Sequence, residues 1–89
     1  MQIIKFSEVF ELYNQPSEVK SDCNAITIIN IGTSTAILNG VEIAPGDQYV
    51  STGNESEVNL TRYRLSFSGV GTEQCMVIRK IYNNLNLQS

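Results

Sequence analysis

Apolar and polar side chains alternate along residues 62–67, and a period of two is typical of a strand with one buried face. Tyr63, Leu65 and Phe67 form the apolar side of this strand. Residues 26–31 are instead apolar on both sides, apart from Thr27 and Asn30. That pattern indicates a strand in the middle of a sheet. The sequence therefore predicts one half-buried strand and one central strand.

A two-residue turn joins the next pair of apolar segments. The dipeptide Asn39-Gly40 lies between them, and Asn-Gly is the signature of a type I′ hairpin because both turn residues need a positive φ. The resulting register pairs Leu38 with Val41 and Ala36 with Ile43 on one face. These four residues are predicted to lie in the core. Ile37 and Glu42 pair on the opposite face.

Further turns divide the second half of the chain into short segments. Proline and glycine within residues 44–47 predict a turn, which places a short strand at 48–51. A polar loop follows at 52–57. A glycine-containing loop at 69–73 then leads into the last strand.

The last strand covers residues 75–82 and has two apolar faces. They contain Cys75, Val77 and Ile81 on one side and Met76, Ile78 and Tyr82 on the other. Arg79 and Lys80 fall near the end of this strand, where we expect both side chains to reach water.

The first 22 residues have no single interpretation. Aromatic and apolar residues occur there with helical spacing, at Phe6, Val9, Phe10 and Tyr13. Residues 2–5 and 9–12 could equally form two short strands. We expect a strand at 2–5 and leave 7–13 open. Pro16 ends whatever element precedes it, and the polar tail 83–89 is expected to fray.

The elements together predict an all-β fold. Six to eight short strands, with a turn signal about every ten residues, favour a small antiparallel β-sandwich or a jelly-roll-like barrel. The 89 residues make one domain. A chain of this size buries only about 64% of its surface on folding, near the lower end for independent folding.

Composition argues against an enzyme. The chain has no histidine, which removes the commonest general base and a common metal ligand. The sequence shows no arrangement of nucleophile and base or of paired carboxylates. We therefore expect no catalytic residue, no cofactor, no metal and no small-molecule substrate. The first residues lack the long apolar segment of a secretory signal, and the interrupted hydropathy gives no membrane span.

Cys23 and Cys75 are the only cysteines. A disulfide between them would stabilise the fold by about 4 kcal/mol in the chain-entropy model. In a chain without a secretory signal, two cysteines are more often free and buried. We expect free thiols and keep the disulfide as the alternative.

The net charge of −3 hides an asymmetry. Residues 1–60 hold two basic and eight acidic side chains, whereas residues 61–89 hold four basic and one acidic. Such a split suits contact between subunits, although solvated charges on the surface would explain it equally. The candidate interface residues are Arg62, Arg64, Arg79 and Lys80 on one subunit and Asp47, Glu55 and Glu57 on its neighbour. Four basic residues are too few to favour nucleic acid as a partner.

One stretch of the sequence resembles a known group of proteins. It contains Asn30-Ile31-Gly32-Thr33, then the Asn39-Gly40 turn between apolar residues, then Pro45-Gly46. With the Tyr-x-Leu-x-Phe pattern of the later strand and the closing segment 77–82, this order resembles small β-sandwich structural proteins of tailed bacteriophages and prophages. The likeness covers about residues 23–82.

The resemblance implies a structural component of a virion, present in many copies. It would be a capsid decoration protein, a head-fibre base or a neck or tail ring subunit, assembled in the cytoplasm of the bacterial host. Its partners would be further copies of itself or other virion proteins. The resemblance assigns no functional residue.

A second hypothesis is a carbohydrate- or peptide-binding β-sandwich module. Alternating aromatic side chains can stack on a ligand, but they more often belong to a core. This hypothesis requires exposed aromatic side chains among the tyrosines Tyr13, Tyr49, Tyr63 and Tyr82.

Overall fold

The computed structural model describes residues 3–82 and shows eight β-strands in two antiparallel four-stranded sheets. The strands are β1 (Phe6–Tyr13), β2 (Ser17–Lys20), β3 (Ala25–Asn30), β4 (Thr35–Leu38), β5 (Val41–Ile43), β6 (Gln48–Ser51), β7 (Arg62–Ser68) and β8 (Cys75–Tyr82). Sheet A has the order β1-β8-β3-β6, and sheet B has the order β2-β7-β4-β5.

The strand order is that of a jelly roll. The pairs β1·β8, β2·β7, β3·β6 and β4·β5 are nested within one another along the chain. Two further pairs, β3·β8 and β4·β7, join these four strand pairs into the two sheets. An eight-stranded double sheet of this kind is the jelly-roll architecture. The prediction of an all-β sandwich with six to eight strands is confirmed.

The core lies between the two sheets and receives side chains from both. Sheet A contributes Ile26 and Ile28 from β3 and Val77 from β8, and sheet B contributes Leu38 from β4 and Leu65 from β7. The central strand is confirmed, since β3 has strands on both sides and every second residue of it is buried. The alternation predicted for β7 is confirmed by the burial of Tyr63 and Leu65.

The hairpin has the predicted turn and register. Asn39 and Gly40 have φ angles of 49° and 85°, as a type I′ turn requires. Leu38 pairs with Val41 and Ala36 pairs with Ile43. Val41 is nevertheless 59% exposed, so its predicted place in the core is wrong. It begins the three-residue edge strand β5, which pairs only with β4 among the described strands.

The N-terminal segment differs from the expectation. Residues 3–5 belong to no strand, and the first strand begins at Phe6. The helical alternative is wrong, because β1 pairs with β8 along its whole length. The sequence also gave no sign of β2, a four-residue strand with Val19 as its one buried residue. Residue 2 and the tail 83–89 lie outside the described residues.

Both cysteines are buried and free, as expected. Cys75 begins β8, while Cys23 forms an isolated bridge with Asn59. Burial raises the pKa of each thiol above its ordinary value, because the thiolate loses solvation.

We expect neither cysteine to react rapidly with Ellman's reagent in the folded protein, since the thiolate is the reactive form and both sulfurs are shielded. In denaturant both thiols should react, giving two equivalents per chain. Fast stoichiometric labelling of the folded protein would contradict this packing. Failure to label the unfolded chain would instead reveal a disulfide.

Asn30 is a fully buried polar residue that links the two sheets. Its amide nitrogen donates hydrogen bonds to the carbonyl of Ser34 at 2.8 Å and to that of Ile43, in β5, at 2.9 Å. Its side-chain oxygen accepts the N–H of Gly32 at 3.0 Å. One asparagine at the end of β3 thus anchors the following loop and the edge of the opposite sheet.

Replacing Asn30 by leucine should lower the free energy of unfolding by about 2 kcal/mol or more, because it withdraws the donor from two carbonyl groups. Urea denaturation followed by tyrosine fluorescence measures this change. Asn14→Leu, at an exposed position, is the control and should change stability by less than about 0.5 kcal/mol. Equal stabilities for the two variants would contradict the role assigned to Asn30.

Candidate interaction surface

The outer face of sheet A, which we call the apolar face, carries apolar side chains across all four strands. The register aligns Phe10, Ile78, Thr27 and Val50 in one row from β1 to β6. Phe10 is 59% exposed, and Val50 is also exposed. This row therefore crosses the whole sheet, with exposed side chains at its two ends and the half-buried Ile78 and Thr27 between them.

A second row runs beside the first. Leu12, Met76, Ile29 and Gln48 are aligned in the same order of strands. Leu12 is exposed, and Met76 and Ile29 are half-buried. Four strands about 4.8 Å apart and four to eight residues in length give a face of roughly 20 Å by 20 Å. This area is comparable to the largest apolar patch on a typical monomer.

Charge on the apolar face is confined to one corner. Lys80 lies on β8 with its ammonium 4.2 Å from the centre of the Phe6 ring and 5.1 Å from that of Tyr82. The two rings are themselves 6.0 Å apart in an edge-to-face arrangement. Glu8 pairs with Lys80 across the strands. The ammonium is thus held over aromatic rings, an arrangement that stabilises a cation.

The outer face of sheet B has the opposite character. Its exposed charged side chains are Glu18, Lys20, Glu42, Arg62 and Arg64. Arg62 and Glu18 form an exposed ion pair at 3.6 Å. An antiparallel sheet that faces water on one side normally alternates in this manner. Sheet B follows that rule and sheet A does not, which marks the apolar face as the candidate site.

The four basic residues proposed for an interface lie in three different places. Arg62 and Arg64 are on the outer face of sheet B, and Lys80 is on the apolar face. Arg79 points toward the interior between the sheets, where its side chain is only 12% exposed. The structure therefore does not bring them together as one basic patch.

The expectation that Arg79 reaches water is wrong. Arg79 lies two residues from Val77 and from Ile81, so strand alternation places it on the inner face. Its Nη1 atom is 2.6 Å from Oε1 of Glu11 on β1. Its Nε donates to the carbonyl of Lys20 at 2.8 Å. The guanidinium thereby joins sheet A to β2 of sheet B.

A polar cleft of about 350 Å³ surrounds this ion pair. Tyr13, Ser21 and Asp22 are among the residues that line it. The Tyr13 hydroxyl donates to Oε1 of Glu11 at 2.9 Å. Glu11 and Arg79 neutralise each other in its wall, while Glu18, Lys20 and Asp22 add further charged groups to the lining.

The three acidic interface candidates lie at the two ends of β6. Asp47 precedes β6, and its carbonyl accepts the N–H of Asn30 at 2.9 Å. Glu55 and Glu57 follow β6 in the next loop, where Oε1 of Glu57 accepts the N–H of Asn54 at 3.1 Å. The strand separates Asp47 from the other two, so they form no single acidic loop.

The tyrosines are only partly available to a ligand. Tyr63 is buried, and Tyr13, Tyr49 and Tyr82 are half-buried. Tyr49 and Tyr63 stack edge to face at 5.7 Å beside an apolar cleft of about 110 Å³. Drug-sized ligands occupy pockets of about 300–1,000 Å³, so this cleft holds no more than a single side chain.

Comparisons with protein-family models, curated proteins and solved structures find no match to this chain. Residues 3–82 include no group of three or more histidine, cysteine, aspartate or glutamate side chains placed to hold a metal ion. Within the same residues, no helix has the length and apolar character needed to cross a membrane.

The apolar face was not identified from the sequence as an interface. Its signal was present in the last strand, where Met76, Ile78 and Tyr82 form a second apolar side. A strand with two apolar sides can equally be buried on both. Only the pairing with β1 shows that this side continues onto exposed residues such as Phe10 and Leu12.

The Glu11–Arg79 pair predicts a pH dependence of stability. Hydrogen bonds from Arg79 and then Tyr13 hold the pKa of Glu11 below its ordinary value. The unfolded carboxyl therefore binds its proton at a higher pH than the folded one, and this stabilisation is lost as the pH falls through that range. Above the ordinary glutamate pKa it is fully present.

We expect the free energy of unfolding to fall more steeply in the wild type than in Glu11→Gln below about pH 5. The difference should be less than about 1 kcal/mol, because the Glu11 side chain is 48% exposed and screened by solvent. Denaturation at several pH values measures it, with Glu8→Gln on the same strand as control. Identical slopes for wild type and Glu11→Gln would contradict this coupling.

Proposed function

We propose that this protein is a non-enzymatic structural protein that acts by binding other protein subunits through the apolar face. The observation that carries the proposal is a sheet with apolar side chains on both faces, one covered by the core and one exposed. Covering the exposed rows removes apolar surface from water, which is the dominant favourable term in protein association. Sheet B, with its charged outer face, offers no equivalent surface.

The setting that we propose is the virion of a tailed bacteriophage or prophage. The resemblance of residues 23–82 supports it, and the positions it suggests are capsid decoration, a head-fibre base, or a neck or tail ring. Jelly rolls occur in viral capsid proteins, but also in lectins and cupins. The fold is therefore compatible with this setting and does not select it. A gene located beside portal, capsid or tail genes would support the proposal.

The carbohydrate- or peptide-binding alternative has two clefts in its favour. The polar cleft of about 350 Å³ beside Tyr13 is large enough for a ligand, but its Tyr13 hydroxyl and Arg79 guanidinium already donate to Glu11. The other is the apolar cleft beside Tyr49 and Tyr63. A volume of about 110 Å³ is too small for a ligand-sized pocket. The cleft could accept one apolar side chain from a partner protein, which is again a contact between proteins. Binding through the apolar face remains the stronger proposal.

Substitution at the centre of the apolar face tests the proposal. Ile78→Lys places a charge in the first row, between Phe10 and Thr27. Ile37→Lys is the matched control, because Ile37 is also half-buried on the outer face of an inner strand, but in sheet B. We expect Ile78→Lys to weaken self-association at least about tenfold and Ile37→Lys to leave it unchanged.

Sedimentation equilibrium at low and high salt provides the measurement. Association through apolar surface should persist at high salt, whereas association through Arg62, Arg64, Asp47, Glu55 and Glu57 should weaken there. Equal association by wild type and Ile78→Lys would contradict the role of the apolar face. A chain that stays monomeric under all conditions would contradict self-assembly.

A further inference from the structure

Strand β1 is the longest edge strand of the two described sheets. It contains eight residues and pairs only with β8 among the described strands. The other three edge strands are β2 and β6, with four residues each, and β5, with three. Short edges limit unwanted pairing between sheets. Three edges of this fold are protected in that way, and β1 is not.

The composition and exposure of β1 also favour pairing. Residues 6–13 include no proline, lysine or arginine, which commonly protect an edge. The two acidic residues of β1 already face basic ones on β8, Glu11 paired with Arg79 and Glu8 opposite Lys80. Seven of the eight residues are exposed. Val9, on the inner side of the sheet, is 39% exposed, so apolar surface is uncovered on both sides of this strand. A partner that covered only the apolar face would leave Val9 in water.

We propose that two copies of this chain pair edge to edge through β1, antiparallel, with Val9 opposite Val9 of the second copy. The pairing is isologous, with a two-fold axis normal to the sheet. The pairing adds backbone hydrogen bonds between the two β1 strands to the association of subunits through the apolar face. The inference therefore rests on the proposed function.

Strand geometry restricts the possible registers. A two-fold axis normal to the sheet keeps the two apolar faces on the same side. Residues directly opposite one another must then come from the same face, so their numbers sum to an even value. Two registers keep most of β1 paired, one centred on Val9 and one centred on Phe10.

The register centred on Val9 gives the better side-chain pairs. It places Phe6 opposite Leu12 on both sides of the axis and Val9 opposite Val9, which makes three apolar pairs. The register centred on Phe10 makes one such pair, since Leu12 then lies opposite Glu8. Glu8 and Glu11 lie on opposite faces, so neither register sets one opposite the other. Cross-strand pairs of apolar residues stabilise a sheet.

This pairing extends sheet A into a continuous sheet of eight strands. The apolar face doubles in width, and the two Phe10 side chains become diagonal neighbours within reach of each other. The dimer therefore presents to its other partners one broad apolar surface instead of two separate ones.

Cysteine cross-linking of the full chain tests the pairing. Directly opposite residues in an antiparallel pair have Cα atoms about 4.5–5.5 Å apart, a separation that a disulfide spans. Val9→Cys should therefore form a covalent dimer under mild oxidation. Val41→Cys is the matched control, because Val41 is an exposed valine on the edge strand β5.

We expect at least about tenfold more covalent dimer from Val9→Cys than from Val41→Cys, because pairing raises the effective concentration of the thiols. Phe10→Cys should cross-link less than Val9→Cys. Equal yields for Val9→Cys and Val41→Cys would overturn the proposal, and so would a higher yield for Phe10→Cys. In addition, Val9→Lys should reduce dimer formation in sedimentation experiments while leaving the circular dichroism spectrum unchanged.

The outcomes separate this proposal from the proposed function. If Val9→Cys does not cross-link but Ile78→Lys still weakens association, the edge pairing is wrong and the role of the apolar face stands. If Val9→Cys cross-links but Ile78→Lys associates like the wild type, the edge pairing stands and the role of the apolar face is wrong.

Discussion

The packing of four inner strands against each other holds this structure together. β8 and β3 face β7 and β4 across the core, and each of the other four strands pairs with one of them. The edge strands contribute less to this core, since β2 and β5 each supply one buried side chain, Val19 and Ile43, while β1 and β6 supply only the partly buried Tyr13 and Tyr49. Strand β1 shows this most clearly, since it is almost wholly exposed and yet paired over eight residues.

Buried polar groups decide how the two sheets fit together. Asn30 joins β3 to the edge of sheet B, and Arg79 joins β8 and β1 to β2. At the other end of β3, Asn24 ties the loop after β6 to β8 instead, because its amide donates to the carbonyl of Glu57 at 2.6 Å and its oxygen accepts the N–H of Tyr82 at 2.8 Å. Such contacts are directional, whereas apolar packing alone tolerates sliding. The polar contacts therefore fix the position of one sheet relative to the other, which apolar packing alone does not determine.

The parts of the fold that could be predicted from sequence were those with local causes. The Asn39-Gly40 turn fixes its own register, and β7 repeats its pattern long enough to be recognised. β2 has only Val19 to mark it, and β1 is exposed on both sides, so neither shows the period of two that is typical of a strand. A place near the end of β8 predicts that Arg79 reaches water, but the alternation with Val77 and Ile81 turns its side chain to the inner face. The apolar face could not be predicted, because it exists only once β1, β8, β3 and β6 are placed side by side.

The pairing of the first strand with the last has a consequence for how this domain can be joined to others. Phe6 lies opposite Tyr82, so the start of the first described strand and the end of the last lie about 5 Å apart. Such neighbouring entry and exit points suit insertion into a surface loop of a larger protein without stretching either connection. Both points lie at the aromatic corner beside Lys80. The direction in which a tether leaves that corner would then determine which side of the domain stays open to its neighbours.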